Sequence, residues 1–267
     1  MRSLEYFEAH RVFTHAEFLA AHTARGRSPS TSNNLLARHL AAKRLIRVRR
    51  GLFATVPRGT SPERAAVDPY LIASHLADDA VVAYHAALQF FGRSYSVWHR
   101  FHYLTGRRGP AFSFRNMEFV PVLRRNLFGN EPAMEDAVLE TSHSGGRVRV
   151  TTLERALVDV LDSPDKGGGW EEIWRSLEMI EFFDIDAVLR YTRSIGSALT
   201  AARLGFYLEQ HRDSLMLEEQ HLIEFEKMAP DQARYLDGSR KPGKLIKRWN
   251  LIVPEYVLGR GWEEPAG

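Results

Sequence analysis

The spacing of apolar and polar residues near the start of the chain predicts short helices followed by a β-hairpin. Residues 3–9 can form the first helix. Thr14 and Glu17 have the spacing of a capping box, and Phe13 and Phe18 have the spacing of a hydrophobic staple. Because these two devices mark helix starts, we expect the second helix to begin directly after Thr14.

The third predicted helix has two different faces. Ser28 is a good N-cap, and Pro29 suits the first helical position, where its missing N–H costs nothing. Leu36 and Leu40 fall in one apolar stripe. The opposite face is small, polar and able to form hydrogen bonds; it consists of Ser30, Thr31, Asn34 and Arg38. Such a face is typical of a helix that contacts base edges in DNA, and a face exposed only to solvent has the same pattern.

Residues 45–56 predict a hairpin with a basic tip. In its first strand apolar residues alternate with arginines, and the turn follows at Arg50-Gly51. Arginines at a hairpin can protect an exposed sheet edge from aggregation. Directly after a capped pair of helices, they indicate the wing of a winged helix-turn-helix, which would contact phosphates or a minor groove through Arg47, Arg49 and Arg50.

The rest of the chain predicts an α+β domain. The run from Pro57 to Pro62 interrupts the pattern, so we expect a winged helix-turn-helix domain over residues 1–58, a linker over 59–67 and a larger domain over 68–267. Helices, then strands, then helices without regular βαβ alternation indicate a mixed or antiparallel sheet and a helical C-terminal half. The predicted strands are Ala80–Val82, Ser96–Thr105, Phe112–Val122, Arg147–Val150 and Lys244–Val253.

Two local signals predict helix starts in this larger domain. Asp68 is expected to cap a helix whose first residue is Pro69. Thr151 and Glu154 have the spacing of a second capping box. Residues 170–228 read as helical throughout.

Charge is distributed unevenly along the chain. Residues 1–58 hold eleven Lys or Arg and three acids, a net charge of +8, whereas the remaining residues have a net charge of −5. A small basic domain joined to a mildly acidic one indicates a polyanionic partner for the first domain only. The sequence has no cysteine and no apolar run long enough to cross a bilayer, so we expect a cytoplasmic protein without a membrane partner.

Catalytic motifs are incomplete wherever they occur. The segment Gly238 to Lys244 fits GxxxxGK, but Leu245 replaces the Ser or Thr that binds Mg²⁺, and no apolar strand precedes it. His211-Arg212-Asp213 lacks the other kinase motifs. Glu218 and His221 lack the second pair that a di-metal site needs, and His99 and His102 lie in a strand-like segment, where their side chains would point to opposite faces. We therefore expect no enzyme, no metal and no cofactor.

The larger domain contains a second basic cluster. It consists of Arg240, Lys241, Lys244, Lys247 and Arg248. Solvated loops often have this composition, and the density of the cluster also allows a second contact with a polyanion or a protein.

The order of segments resembles one known family over nearly the whole chain. The capped helices are followed by RVRRGLFA, AYHAALQFFG, VRVTTLERALVDVLDSP, WEEIWRSL, AARLGFYLE and KRWNLIVP. This order is similar to that of the AbiEi antitoxins of type IV toxin–antitoxin systems; TTLERALVDVLDSP and AARLGFYLE are its most specific parts.

The resemblance implies two activities. The winged helix would bind inverted repeats in the promoter of its own operon and repress transcription, and the larger domain would counter a nucleotidyltransferase toxin, directly or indirectly. Ser30, Thr31, Asn34 and Arg38 match the DNA-reading face of the third helix, and Arg47, Arg49 and Arg50 match the wing. The family often has Gly near Lys43, so the helix would run on here and bring Lys43 close to phosphates.

Two alternatives remain at this point. The chain could be a stand-alone winged-helix regulator whose larger domain senses a ligand. It could also carry an enzymatic larger domain, which only the incomplete motifs suggest.

Overall fold

The computed structural model describes residues 3–124, 137–238 and 240–260, and within them the fold is of the mixed α+β class. Among these residues no helix is long and apolar enough to span a membrane. The chain divides into two compact units, which are described separately: residues 1–82, 103–123 and 140–149 form the first, and residues 83–102, 124–139 and 150–267 form the second. This division follows spatial contacts, and the domain boundary predicted at residues 59–67 stays a prediction.

The first unit begins with three helices and three strands in the order α1-β1-α2-α3-β2-β3. Their bounds are α1 Ser3–Ala9, β1 Val12–Thr14, α2 His15–Thr23, α3 Pro29–Ala41, β2 Leu45–Arg49 and β3 Leu52–Thr55. The strands form an antiparallel sheet in the order β1-β3-β2. The predicted helices, hairpin and Arg50-Gly51 turn are therefore present.

Aromatic side chains form the core of this segment. Phe13 and Phe18 are fully buried, and their ring centroids lie 5.8 Å apart, as the predicted staple requires. Phe7 stacks on Phe18 at 5.9 Å and meets the edge of the buried His39 of α3 at 4.7 Å. Such aromatic pairs contribute about 0.5–1.5 kcal/mol beyond the burial of their area. This core fixes α3 against α1, α2 and the sheet.

Capping signals gave correct helix starts. Thr14 and Glu17 form both bonds of the capping box, with the Thr14 backbone N–H donating to the Glu17 carboxylate at 2.6 Å. The Ser28 hydroxyl accepts from the backbone N–H of Thr31 at 3.2 Å. Asp68 accepts from the N–H groups of the first turn of the helix that follows it.

Within the described residues, one sheet has six strands, and it lies mostly in the first unit. The helix α4 (Pro69–Ser74) precedes it, and the strand order is β6-β7-β5-β4-β9-β8. The strands are β4 Val81–Val82, β5 Arg100–Thr105, β6 Phe112–Phe114, β7 Met117–Leu123, β8 Val138–His143 and β9 Gly146–Thr151. The prediction of a single strand over Phe112–Val122 is wrong, because Arg115 takes a left-handed conformation (φ 55°) and turns the chain into an antiparallel hairpin.

The predicted linker has its own contacts in this unit. The guanidinium of Arg115 donates to the backbone carbonyls of Ala65 at 2.6 Å and Pro62 at 2.5 Å. The segment after the first three strands is thus held in place by the turn between β6 and β7.

The second unit is mainly helical, as predicted for residues 170–228. Its helices are α5 His85–Phe90, α6 Leu153–Asp162, α7 Pro164–Gly167, α8 Trp170–Glu178, α9 Ile185–Ile195, α10 Ala198–Gln210, α11 Glu219–Glu226 and α12 Glu255–Leu258. Buried polar groups connect two of them: the Tyr191 hydroxyl and the Arg155 guanidinium both donate to Asp159, at 2.8 and 3.3 Å.

The predicted capping box of α6 is displaced by one residue. The N-cap is Thr152, whose hydroxyl accepts from the N–H of Arg155 at 3.3 Å, whereas Thr151 ends β9. Glu154 instead accepts from the backbone N–H of Asp184. Two adjacent threonines make the N-cap ambiguous in sequence, and the end of the strand decides it.

The predicted last strand, Lys244–Val253, is also a hairpin. β11 (Gly243–Ile246) and β12 (Leu251–Pro254) pair antiparallel across a 3₁₀ turn at Lys247–Trp249, and β12 also pairs in parallel with β10 (Arg234–Tyr235). Asn250 takes the left-handed conformation (φ 46°) that reverses the chain. The buried Trp249 ring occupies the space beside Gly205 of α10, where a Cβ atom would collide with it.

An ion pair in the first unit predicts a pH-dependent stability. Glu17 lies 3.5 Å from Nε2 of His75. The contact with His75, followed by the bonds from Thr14, lowers the pKa of Glu17 to about 2. Burial lowers the pKa of His75, but its contacts with Glu17 and the Leu71 carbonyl outweigh burial and raise it overall. The pair stabilises the fold above the ordinary pKa of Glu17, 4.5, and is lost as pH rises through the raised pKa of His75.

We expect Glu17→Gln to lower the melting temperature more at about pH 5.5 than at about pH 9, because glutamine keeps the cap and removes only the charge. Melting curves of both proteins across this range test the expectation. His75→Gln should remove the pH dependence of the difference. A difference that stays constant with pH would contradict the role of the ion pair.

Candidate nucleic-acid interface

The predicted DNA-reading face of α3 is exposed. Ser30, Asn34 and Arg38 follow one another at intervals of four residues and therefore lie along one face of the helix. They and Thr31 are exposed, while Ser32, Leu36 and His39 form the buried face. Leu40, predicted for the apolar stripe, is half-buried against the aromatic core. A polar, uncovered face at the N-terminal end of a buried helix is suited to contacts with base edges.

One helix-to-helix contact was not evident from the sequence. His15 Nε2 of α2 and the side-chain oxygen of Asn33 of α3 lie 2.7 Å apart. This hydrogen bond joins the two helices beside the exposed face. Thr31 also has a structural role, because its hydroxyl lies 2.9 Å from the hydroxyl of Ser28 at the N-cap. Thr31 thus helps to fix the start of α3, whereas Ser30, Asn34 and Arg38 remain exposed for contacts with another molecule.

The end of α3 differs from the expectation that the helix would run on past Lys43. α3 ends at Ala41, and Lys43 takes the left-handed conformation (φ 55°). This is the conformation for which glycine is usually selected, and Lys43 adopts it here as a non-glycine residue. Lys43 and Arg44 are both exposed in the short connection to β2.

The three arginines of the hairpin lie in two different environments. Arg47 and Arg50 are exposed, Arg50 beside Gly51, whose φ of 80° forms the turn. The register of β2 against β3 shifts between Arg47 and Arg49, so the simple alternation predicted for this strand is interrupted there.

The side chain of Arg49 contacts other residues of the first unit. Its guanidinium donates to the backbone carbonyl of Leu76 at 2.8 Å and lies over the ring of Phe112, 5.9 Å from the centroid. The structure thus separates Arg49 from Arg47 and Arg50, with which the sequence pattern grouped it. Its main contacts hold the hairpin to the segment after α4 and to the start of β6.

The segment that contains α3 and the hairpin has an excess of positive charge. Residues 28–58 contain no acidic residue, so every charged side chain of α3 and the hairpin is positive. The acids of the preceding helices have partners: Glu17 bonds with Thr14 and His75, and Glu8 lies 3.1 Å from Arg58. Positive potential therefore concentrates on α3 and the hairpin tip, where polyanion binding was predicted.

The second basic cluster is smaller than predicted. The guanidinium of Arg248 contacts three carboxylates at 2.6 to 3.0 Å, those of Glu209, Glu219 and Glu226. These ion pairs raise the pKa of Arg248 against the opposing effect of burial and satisfy its charge. The ammonium of Lys241 lies over the ring of Tyr256 at 5.2 Å. Arg240, Lys244 and Lys247 are exposed.

The incomplete catalytic motifs have structural explanations. His221 is the N3 residue of α11, and its Nδ1 accepts from the backbone N–H of Glu218 at 3.2 Å. His211 follows the last residue of α10, and Gly243 begins β11. Ser239, inside the GxxxxGK match, lies outside the described residues.

The histidine pair formed by His99, which directly precedes β5, and His102 of β5 is also divided. His99 is exposed, whereas His102 is buried, and burial lowers the pKa of His102 to about 4. In the part of the chain that the structure describes, no three His, Asp or Glu side chains converge as metal ligands would.

Comparison with known proteins identifies a similar fold. No family model matches the chain, and no curated protein matches it. Among solved structures, the crystal structure of the RV2827C protein from Mycobacterium tuberculosis is similar, with a TM-score of 0.62 and 18% sequence identity over 98% of this chain and 94% of that one. At this level of identity, the similarity establishes the mixed α+β fold over almost the full length of the chain. Function has to be argued from the chemistry of the surface.

The contacts of Arg49 predict a loss of stability on its removal. Arg49→Ala removes a charge-assisted bond to a backbone carbonyl, so we expect it to lower the free energy of unfolding by about 1–2 kcal/mol. Arg47→Ala is the matched control, because Arg47 is exposed on the same strand, and its effect should stay within about 0.5 kcal/mol. Urea unfolding measures both. Equal effects would contradict the structural role of Arg49.

Proposed function

We propose that the first three helices and the β1-β3-β2 sheet are a winged helix-turn-helix that binds double-stranded DNA. The observation that carries the proposal is the pairing of an exposed polar face on α3 with exposed arginines at the hairpin tip, on a segment without acids from residue 28 to residue 58. A helix of this kind enters the major groove, and the adjoining hairpin contacts phosphates or the minor groove.

The exposed side chains suit two kinds of contact. Asn34 and Arg38 can each make paired hydrogen bonds with a base edge, asparagine with adenine and arginine with guanine, and Ser30 and Thr31 add shorter hydroxyl contacts. Lys43, Arg47 and Arg50 can contact phosphates, which position the protein without reading sequence. Arg49 supports the wing from within through its bond to Leu76.

The resemblance to AbiEi antitoxins extends the proposal to the biological role. The chain would repress its own operon from inverted repeats in the promoter, and its larger domain would counter a nucleotidyltransferase toxin encoded beside it. A stand-alone regulator with a ligand-sensing larger domain is the alternative. The neighbouring gene distinguishes the two, because a nucleotidyltransferase gene supports the antitoxin and a metabolic operon supports the regulator.

DNA binding by the full chain tests the first part. With a duplex of the promoter upstream of its own gene, we expect the logarithm of the binding constant to fall linearly with the logarithm of salt concentration. Arg47→Ala/Arg50→Ala should weaken binding to this duplex and to a scrambled one equally and reduce the salt slope by about 2. Asn34→Ala should instead reduce the preference for the promoter by about 1–3 kcal/mol. Fluorescence anisotropy measures these constants, and binding that is absent or independent of salt would refute the proposal.

Growth rescue tests the second part. Expression of the adjacent gene alone should stop growth, and co-expression of the full chain should restore it. Residues 60–267 should also restore growth if the larger domain carries the antitoxin activity, while Arg47→Ala/Arg50→Ala in the full chain, expressed from a foreign promoter, should leave rescue unchanged. An adjacent gene without toxicity, or rescue that requires Arg47 and Arg50, would contradict this division.

A further inference from the structure

The loop Gly106–Ala111, between β5 and β6, is held at its start by an aspartate. Asp79 accepts from the hydroxyl of Thr105 at 2.7 Å and from the backbone N–H of Gly106 at 2.6 Å. The N–H of Arg107 then donates to the Thr105 hydroxyl at 3.3 Å. A Cβ atom on Gly106 would lie 3.2 Å from the Asp79 carboxylate, so the close approach favours glycine there. The position of the loop is therefore specified by a local hydrogen-bond network.

The other end of the loop is held by the hairpin. Phe112, the first residue of β6, lies under the guanidinium of Arg49. Arg49 precedes Arg50 directly, so the loop ends within one side-chain length of the hairpin tip. Arg49 also donates to Leu76, three residues before Asp79. Arg49 therefore connects both ends of the loop to the hairpin.

Two exposed arginines project from this loop. Arg107 and Arg108 are exposed, and no carboxylate in the described ranges forms an ion pair with either. With Arg49 and Phe112 they line an open groove of about 770 Å³. Two aspartates also line this groove. The Asp79 carboxylate accepts hydrogen bonds from Thr105 and Gly106, and Asp78 is exposed. The groove is too open to enclose a small molecule, and its exposed cations fit an extended anion.

We propose that Arg107 and Arg108 contact the phosphates of double-stranded DNA next to those that the hairpin contacts. This inference rests on the proposed DNA binding and extends its surface beyond the winged helix, to a loop of the six-stranded sheet. Arg49 is a positioning residue in this arrangement, because it holds the start of β6 against the hairpin. The contact is with phosphates, so it adds affinity and carries no sequence information.

Salt-dependent binding of the full chain tests this proposal. The probe is a mixed-sequence duplex of about three helical turns. Arg107→Ala/Arg108→Ala should reduce the slope of log binding constant against log salt by about 1.8, since each phosphate contact contributes about 0.9. Arg107→Lys/Arg108→Lys should keep most of the slope, because lysine retains the charge. Melting temperatures of both variants should match that of the wild type, since the anchors of the loop are unchanged.

A control in the second unit separates a local contact from a general effect of charge. Lys227→Ala/Arg234→Ala removes two exposed cations from the second unit and should leave the slope unchanged. An unchanged slope for the Arg107 and Arg108 variant, or an equal loss in the control, would overturn the inference while leaving the winged helix intact. Absence of wild-type binding would instead refute the proposed function itself.

Discussion

The packing of aromatic rings beneath α3 is the constraint on which the N-terminal surface depends. Phe7, Phe13 and Phe18 come from different elements and meet within 6 Å of one another, and α3 covers them through Leu36 and His39. Interiors of this density accept little change in volume, so the angle of α3 is fixed by the core beneath it. Apart from Thr31, which contacts the Ser28 cap, the residues of the polar face are exposed and not needed for packing, so their chemistry can serve binding.

Arg49 shows how one charged residue can serve structure within a basic surface. Its neighbours Arg47 and Arg50 remain in solvent, whereas its own guanidinium is used on a backbone carbonyl and an aromatic ring. The shift of register in β2 places it there. Lysine could supply the charge at this position but not the planar group that donates to Leu76 while lying over Phe112. Position 49 therefore requires the guanidinium group, whereas positions 47 and 50 require only an exposed cation, although all three arginines lie in the same short sequence.

Local signals predicted much of the fold, and tertiary contacts explain the rest. Thr14, Ser28 and Asp68 start helices as expected, because a cap is decided within four residues. Two hairpins were missed because Arg115 and Asn250 adopt left-handed conformations without a glycine or proline to signal a turn. The exposed face of α3 was predicted, since helical periodicity fixes it. The contacts of Arg49 and Arg248 were not predicted, because their hydrogen-bond partners lie 22 to 39 residues away in sequence.

The distribution of charge has a consequence for the free protein. From residue 28 to residue 58 the chain carries cations and no acids, so the exposed part of this surface is under mutual repulsion that the fold must overcome. Other contacts stabilise the fold around it: Glu17 completes the capping box of α2 and pairs with His75, and the Arg49 guanidinium donates to the Leu76 carbonyl. Because salt screens repulsion between exposed cations and also competes with phosphate binding, the same ions that stabilise the free surface would weaken the proposed complex with DNA. A concentration of positive charge is thus a cost to folding that a polyanionic partner would offset, which is the physical reason to connect this charge pattern with the proposed binding rather than with stability.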